Sequence, residues 1–192
     1  MSSLAIEAAS TALVLVDLQH GIVARELAPH TGAQVVSRSA QLAQAFRARG
    51  GTVVYVRVLV DEILKLPVDT PTYRPLGAPP LPANACELVP EAGVQPGDVL
   101  IVKKQWGAFY GTDLEQQLRR RGIRALVMAG IATNFGIEST ARQAYDQGFE
   151  LIFAEDAMST MARELHDFSV QNIFPKMGRV RSTEQVLQAL DQ

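Results

Sequence analysis

The amino-acid sequence predicts a three-layer α/β/α domain built around a parallel sheet of about six strands. Apolar runs of strand length alternate with segments of helical periodicity along the chain. Runs such as Thr11–Val16 are apolar at nearly every position, which is typical of strands that helices cover on both faces. This alternation favours parallel strands joined by right-handed crossovers. Because no internal repeat or linker interrupts the pattern, residues 1–192 are interpreted as a single domain.

The individual elements follow from periodicity and from the residues that begin or end them. Glycines predict where helices end, at Gly50, Gly122 and Gly148. Thr112 and Glu115 have the spacing of a capping box, in which two side chains bond free backbone N–H groups at a helix start. Strands are predicted at residues 11–16, 52–58, 98–102, 125–129, 149–154 and 178–181. Helices are predicted at residues 32–49, 112–121, 134–147, about 160–174 and 183–190.

Composition excludes several classes of function. The 18 basic and 20 acidic residues give a net charge of −2, without the basic excess expected of a nucleic-acid-binding protein. No apolar run approaches the roughly 18 residues that cross a bilayer, and the N-terminus lacks a signal-peptide pattern. The one cysteine, Cys86, cannot form an internal disulfide, so we expect a cytoplasmic protein. The histidines lack metal-ligand spacing and no nucleotide-binding motif occurs, so we expect no metal and no cofactor, only a small-molecule substrate.

Polar residues follow three of the predicted strands, at the edge where ligands bind in parallel sheets. Asp17 comes directly after the first strand, where partial desolvation would raise its pKa and suit it to acid or base catalysis. Lys103 and Lys104 follow the third strand, and one of them should point inward. Gly130–Asn134 follows the fourth strand and opens a helix, whose free backbone N–H groups could form an oxyanion site. Each feature also has a plain structural interpretation, as a turn aspartate, a surface lysine pair and a helix cap.

Three sequence blocks, taken together, carry a family resemblance: Val14–Gln19, Lys103–Leu114 and Gly130–Ala144. In this order and spacing they resemble the isochorismatase-like hydrolases, which include nicotinamidases, N-carbamoyl amide hydrolases and isochorismatases. The resemblance extends from about Thr11 to Leu190. It implies a Rossmann-like parallel sheet, hydrolase activity and a homo-oligomer, either a dimer or a tetramer.

The resemblance also implies roles for individual residues. Amidases of the family use an Asp–Lys–Cys triad, in which Asp17 matches the aspartate and Lys103, rather than Lys104, matches the lysine. Ile131–Ala132 matches a non-proline cis peptide next to the oxyanion site. Further candidates for the binding site are Trp106, Phe109 and Phe135.

Position 136 departs from the amidase pattern. Gly136 stands where these amidases carry the nucleophilic cysteine, and Cys86 lies far away in the sequence. Without a nucleophile, a covalent thioester route is not available. The metal-ligand pattern of nicotinamidases is also missing, because Asp61 is followed by Glu-Ile-Leu. Isochorismatases are similar in having glycine at the nucleophile position.

The leading hypothesis is therefore hydrolysis of a small anionic enol (vinyl) ether. Asp17 would donate the proton, Lys103 would position the substrate and Gly136 would leave room for it. Residues 60–96 are expected to form an ordered, proline-rich excursion over the site. Within or near it, three side chains could hold carboxylates: Arg57, Tyr73 and Arg74. Two alternatives stay open, a catalytically silent member that binds a small ligand and an amidase that uses an activated water.

Overall fold

Six parallel strands form one sheet at the centre of the molecule, as the sequence predicts. The computed structural model describes residues 5–72, 74 and 77–190. The strands are β1 (Thr11–Val16), β2 (Thr52–Val58), β3 (Val99–Lys103), β4 (Ala125–Ile131), β5 (Glu150–Ser159) and β6 (Arg179–Arg181). Their spatial order is β3-β2-β1-β4-β5-β6, and every neighbouring pair is parallel. The strand order thus reverses direction between β1 and β4, and such a reversal is where parallel sheets bind ligands.

Helices cover both faces of this sheet. They are α1 (His20–Val23), α2 (Gly32–Ala48), α3 (Leu114–Arg120), α4 (Glu138–Asp146), α5 (Arg163–Phe168) and α6 (Thr183–Leu190). Alternate residues of each strand point to opposite faces, so β1 contributes to two separate cores. Leu13 and Leu15 pack with α2 and α6, whereas Val14 and Val16 pack with α3 and α4. The predicted three-layer α/β/α class is confirmed.

Several predicted boundaries were wrong, for local reasons. The capping box of Thr112 and Glu115 is absent, because α3 begins at Leu114 and Glu115 pairs with Arg119. The Thr112 hydroxyl accepts from the N–H of Leu114 at 3.2 Å and donates to the carbonyl of Ala108 at 2.6 Å. A true capping box stands at the start of α2, between Thr31 and Gln34.

Two predicted helices are interrupted. The predicted helix at 134–147 opens with a π-helical turn, Thr133–Ile137, and only then becomes α4. The predicted helix at 160–174 is α5 followed by a π-helical turn, Ser169–Ile173. The fifth strand is five residues longer than predicted at its carboxyl end, since it reaches Ser159 rather than residue 154. No helix within the described residues is both long and apolar enough to cross a membrane.

Candidate active site

Asp17, Lys103 and Gly136 come together at the carboxyl edge of the sheet, beside the reversal between β1 and β4. Asp17 follows β1, Lys103 is the last residue of β3, and Gly136 lies in the turn after β4. One strand, β2, separates β1 from β3, so the long lysine side chain spans its end to reach Asp17. The peptide bond between Ile131 and Ala132 is cis, in agreement with the family resemblance.

Asp17 and Lys103 form a buried ion pair. Lys103 Nζ lies 2.8 Å from Asp17 Oδ2, and the two side chains are 1% and 8% exposed. Lys103 Nζ also donates to the carbonyl of Trp106 at 2.6 Å, which ties the loop after β3 to the pair. Asp17 has a positive φ of 55°, a conformation that aspartate tolerates better than most residues, and its N–H donates to the carbonyl of Val56.

Burial makes Asp17 a weaker acid than an ordinary aspartate. Desolvation raises the pKa of Asp17 from 3.8 to about 6, although the charge and hydrogen bond of Lys103 and the charge of Arg25 oppose the change. Asp17 Oδ1 is buried and has no hydrogen-bond partner among the described residues. A carboxylate with one oxygen unbonded and out of water is poorly stabilised, which is consistent with the raised pKa. A proton on Asp17 is therefore available close to neutral pH.

Gly136 borders the ion pair so closely that any side chain there would contact both charges. A Cβ atom at this position would lie 3.1 Å from Lys103 Nζ, 3.3 Å from Asp17 Oδ2 and 3.1 Å from Val16 Cγ1. A third catalytic group at this position would therefore meet the aspartate and the lysine directly. In this chain, Gly136 carries no side chain and its backbone borders the cavity described below.

Two buried polar side chains hold the surrounding loops in place. Thr140 donates to the carbonyl of Gly136 at 2.6 Å and accepts from the N–H of Ala108 at 3.1 Å, so it links the turn after β4 to the loop after β3. Gln19 bonds both backbone groups of Val58, at 2.7 and 2.9 Å, and so joins the chain after β1 to the end of β2. Through these contacts, the segments after β1, β3 and β4 together fix the geometry around Asp17.

A cavity of about 120 Å³ opens over the pair. Asp17, Lys103 and Gly136 line it, together with the predicted residues Ile131, Ala132, Trp106 and Phe135. The rings of Trp106 and Phe135 meet edge to face, with centroids 4.9 Å apart. The cavity thus combines this aromatic surface with the carboxyl group of Asp17 and the cations of Lys103, Arg25 and Arg74. This combination suits a small, planar, anionic ligand.

Three other predicted residues, Phe109, Arg57 and Lys104, lie outside this cavity. Phe109 is buried against Phe149 in the core and does not line the cavity. Arg57 donates to the carbonyl of Cys86 and lies away from the cavity lining, and Lys104 pairs with Glu62 at the surface. Arg74 does line the cavity, where its guanidinium donates to the carbonyl of Pro79. Tyr73 lies outside the described residues.

Sequence reasoning missed Arg25 and Met161, which also line the cavity. Arg25 follows the short helix α1 and donates to the carbonyl of Gly21, and Met161 follows β5. The only available signal for Arg25 was its position eight residues after Asp17, in the segment that must pass over the strand ends. Nothing in the local sequence around Met161 indicates a ligand.

A second polar cluster lies behind the turn after β4. His166 of α5 is 3% exposed, and its Nδ1 lies 2.9 Å from the hydroxyl of Thr133. Burial lowers the pKa of His166 from 6.5 to about 4, so the ring is neutral at physiological pH. Glu155 Oε2 lies 3.9 Å from His166 Nε2, and burial raises the pKa of that carboxyl. Among the described residues, no three His, Cys, Asp or Glu side chains are grouped closely enough to hold a metal.

The fold and this site define a three-layer α/β/α domain that carries a buried Asp–Lys pair beside a glycine at the third position. A family profile described as the isochorismatase domain matches residues 11–185, and the chain belongs to the isochorismatase family of hydrolases. It is 49% identical over 191 residues to the isochorismatase family protein YecD of Escherichia coli O157:H7, covering 97% of this chain and 100% of that protein.

Two further relatives place the chain within the family. A solved isochorismatase family protein from Burkholderia thailandensis shares 42% identity, with full coverage of both chains and a TM-score of 0.91. The ureidoacrylate amidohydrolase RutB of Stutzerimonas stutzeri is 30% identical over 219 residues, which cover 97% of this chain and 85% of that protein. The predicted family and fold are confirmed.

Proposed function

We propose that this chain hydrolyses a small anionic enol (vinyl) ether, with Asp17 as the general acid and without a covalent enzyme intermediate. The observation that carries the proposal is that Gly136 lines the cavity beside Asp17 and Lys103 and carries no side chain, so no nucleophile projects from this position. A substrate bound in this cavity would lie beside the Asp17 carboxyl group. Hydrolysis of an enol ether needs a proton donor and water, and it needs no attacking side chain.

The steps balance with the groups present. The Asp17 carboxyl proton passes to the terminal carbon of the enol ether, whose π electrons form the new C–H bond and leave an oxocarbenium ion. Water adds to that ion, and Asp17, now a carboxylate, takes up the proton that the water releases. The resulting hemiketal collapses to a keto compound and an alcohol. Lys103, 2.8 Å from Asp17 Oδ2, stabilises the carboxylate between the two proton transfers.

Charge around the cavity supports an anionic substrate. Arg25 and Arg74 line the cavity, and each guanidinium donates to a backbone carbonyl and carries other N–H donors besides. A substrate carboxylate can therefore form charge-assisted hydrogen bonds there while its reactive carbon lies near Gly136. Both arginines would act as binding groups and take no part in proton transfer.

The test is release of pyruvate from isochorismate by the purified protein. Wild type is compared with Asp17→Asn and with Asp146→Asn, an exchange of an exposed aspartate at the end of α4. We expect release by wild type and by Asp146→Asn, and a loss of roughly a hundredfold or more in Asp17→Asn. Release that survives in Asp17→Asn would contradict the mechanism.

The two alternatives predict different results from the same protein. A silent binding protein would release nothing from any enol ether or amide, yet small anions would still protect it against thermal unfolding. An amidase with an activated water would turn over ureidoacrylate, the substrate named for the RutB relative. The missing side chain at Gly136 is also what motivates the silent-member alternative. It disfavours the amidase, because attack on an amide is harder without covalent help.

We also propose that the chain acts as a single-domain subunit of a cytoplasmic homo-oligomer, a dimer or a tetramer. The support is the family resemblance and the single cysteine. Light scattering of the purified protein distinguishes these states from a monomer.

A further inference from the structure

The cavity contains the groups for one reaction besides ether hydrolysis. Its ionisable lining residues, among those the structure describes, are Asp17, Lys103, Arg25 and Arg74. Of these four residues, Asp17 and Lys103 lie beside Gly136, so the chemistry at that position is transfer of a proton to and from a substrate atom. Protonation of an enol-type carbon is the step assigned above to Asp17, and that step requires neither a leaving group nor an attacking water.

We infer that the same site interconverts the enol and keto forms of 2-oxo acids that carry a planar aryl group, of which phenylpyruvate is the simplest probe. The inference shares with the proposed function the role of Asp17 as a donor of protons to carbon. It does not depend on the cleavage of an ether. It therefore assigns a second activity, a tautomerase activity, to the Asp17–Lys103 pair.

The reaction closes without any further reagent. The Asp17 carboxyl proton moves to C3 of the enol, and the C2–C3 π electrons form the new C–H bond. The O–H bond of the enol supplies the electrons for the C2=O double bond, and its proton returns to the Asp17 carboxylate. The enzyme ends in its starting state, and nothing is oxidised or reduced. Lys103 Nζ, 2.8 Å from Oδ2, stabilises the carboxylate while the proton is absent.

The cavity wall matches an arylpyruvate. Trp106 and Phe135 present an edge-to-face aromatic pair, on which an aryl ring can stack. Arg25 and Arg74 offer cationic donors for the carboxylate. Apolar residues complete the lining, among them Ile22, Val58, Ile63 and Met161. An arylpyruvate enol has an aryl ring for Trp106 and Phe135 and a carboxylate for Arg25 and Arg74. Between these two groups it has the carbon that Asp17 protonates.

The experiment follows the ultraviolet absorbance of the phenylpyruvate enol as it disappears in borate-free buffer. Wild type, Asp17→Asn and the matched exchange Asp146→Asn are compared at equal concentration. We expect wild type and Asp146→Asn to accelerate ketonisation roughly a hundredfold over buffer, and Asp17→Asn to return the rate to that of buffer. Equal rates in wild type and Asp17→Asn would overturn the inference.

A second variant keeps the inference decidable if Asp17→Asn does not fold. Trp106 is 45% exposed, so Trp106→Ala should leave the fold intact. We expect KM for the enol to rise about tenfold with little change in kcat, because the ring is lost from the binding surface and the proton donor stays. An unchanged KM would contradict the proposed binding position of the aryl group.

Pyruvate release from isochorismate, measured on the same preparations, separates the two activities. Ketonisation without ether hydrolysis would reject the ether substrate and support Asp17 as a proton donor to carbon. Ether hydrolysis without ketonisation would overturn the tautomerase inference and leave the proposed function standing.

Discussion

At the scale of single residues, the protonation state of Asp17 sets the pH range of the proposed chemistry. A general acid must carry its proton, and burial keeps the Asp17 proton bound up to a pH of about 6, compared with an ordinary value of 3.8. We expect kcat/KM for acid-dependent turnover to be level below about pH 6 and to fall roughly tenfold per pH unit above it. A ¹³C NMR titration of the Asp17 carboxyl carbon measures the same pKa without a substrate.

Lys103 provides the control for this pH dependence. Its charge and its hydrogen bond both lower the pKa of Asp17, so Lys103→Met should move the titration to higher pH. An Asp17 carboxyl that titrates near its ordinary value in wild type would contradict both the burial argument and the assignment as general acid.

A substitution at Gly136 tests whether a side chain at this position lies beside Asp17 and Lys103. In a Cys86→Ser background, Gly136→Cys places a thiol next to Lys103 Nζ and Asp17 Oδ2. The lysine cation favours the thiolate and the aspartate charge opposes it. We expect the pKa of the new thiol, read from alkylation rates against pH, to rise in Lys103→Met and to fall in Asp17→Asn.

The same alkylation on unmodified protein measures Cys86 alone and serves as the control. If the thiol pKa at position 136 did not respond to either substitution, the new side chain would point away from the pair. The Asp–Lys pair would then not be arranged around position 136 as described.

At the scale of secondary-structure elements, strand positions could be predicted well and helix starts could not. Strands β1 and β4 are continuous apolar runs buried on both faces, which leaves little freedom in where they lie. Helix starts depend on which of several competing hydrogen bonds forms. The hydroxyl of Thr112 donates to the carbonyl of Ala108 and accepts from the N–H of Leu114, and it forms no capping box with Glu115. The N–H groups after Ile131 enter a π-helical turn.

Part of the site followed from the same reasoning and part did not. Asp17 and Lys103 directly end apolar runs, so their place at the carboxyl edge of the sheet could be predicted. Arg25 and Met161 reach the cavity from loops whose paths depend on tertiary packing. Phe109 sits near the lysine in sequence, but its side chain turns into the core against Phe149. Side-chain direction in an irregular loop is not encoded in local periodicity.

The buried contact between His166 of α5 and Thr133 in the turn after β4 leads us to expect a loss of folding stability in acid. His166 is neutral in the folded protein because burial lowers its pKa to about 4, with His30 and Arg163 acting in the same direction and Asp167 opposing. As pH falls below 6.5, His166 takes up a proton in the unfolded chain but stays neutral in the folded chain until about pH 4. Stability contributed by the neutral ring is therefore lost between about pH 6.5 and 4, by up to roughly 3 kcal/mol.

The exchange His166→Asn isolates this effect. An asparagine amide can take the place of Nδ1 opposite the Thr133 hydroxyl, and it does not titrate. Urea unfolding at about pH 7 and about pH 4.5 should show a smaller loss of stability in the variant than in wild type, by roughly 2–3 kcal/mol. Glu155, whose pKa is raised by burial, acts in the opposite direction, because its folded form gains stability as pH falls. His20→Asn is the control and should retain the wild-type acid loss.

At the scale of the whole molecule, the strand order could not be predicted from the sequence, although the strand order determines where the site lies. Order β3-β2-β1-β4-β5-β6 brings the ends of β1 and β4 together and leaves β3 at one edge. An edge strand has only one neighbour in the sheet, and β3 leaves Leu100 and Val102 exposed on one face. Since Lys103 ends β3, the site depends on how firmly this edge is attached to the rest of the fold.

A partly buried ion pair attaches that edge to α2. Arg47, in the last turn of α2, bonds both oxygens of Asp98 at 2.9 and 2.6 Å, and Asp98 directly precedes β3. The same guanidinium reaches the hydroxyl of Tyr55 and the carbonyl of Gly93. The Asp98 side chain is 5% exposed, so loss of the arginine would leave a carboxylate buried without its cation. We expect Arg47→Met to lower the free energy of unfolding by roughly 3 kcal/mol.

The control is the exposed pair of Arg124 and Glu7, whose side chains are 76% and 68% exposed and lie 3.2 Å apart. Arg124→Met should cost less than about 1 kcal/mol, because water already solvates both charges. Urea unfolding measures both variants, and the NMR titration of Asp17 reports on the site. If the two substitutions cost the same, the Arg47 pair would not be what holds the β3 edge. If Arg47→Met shifted the Asp17 pKa without unfolding the protein, attachment of β3 would be coupled to the position of Lys103, and the edge of the sheet would belong to the catalytic arrangement.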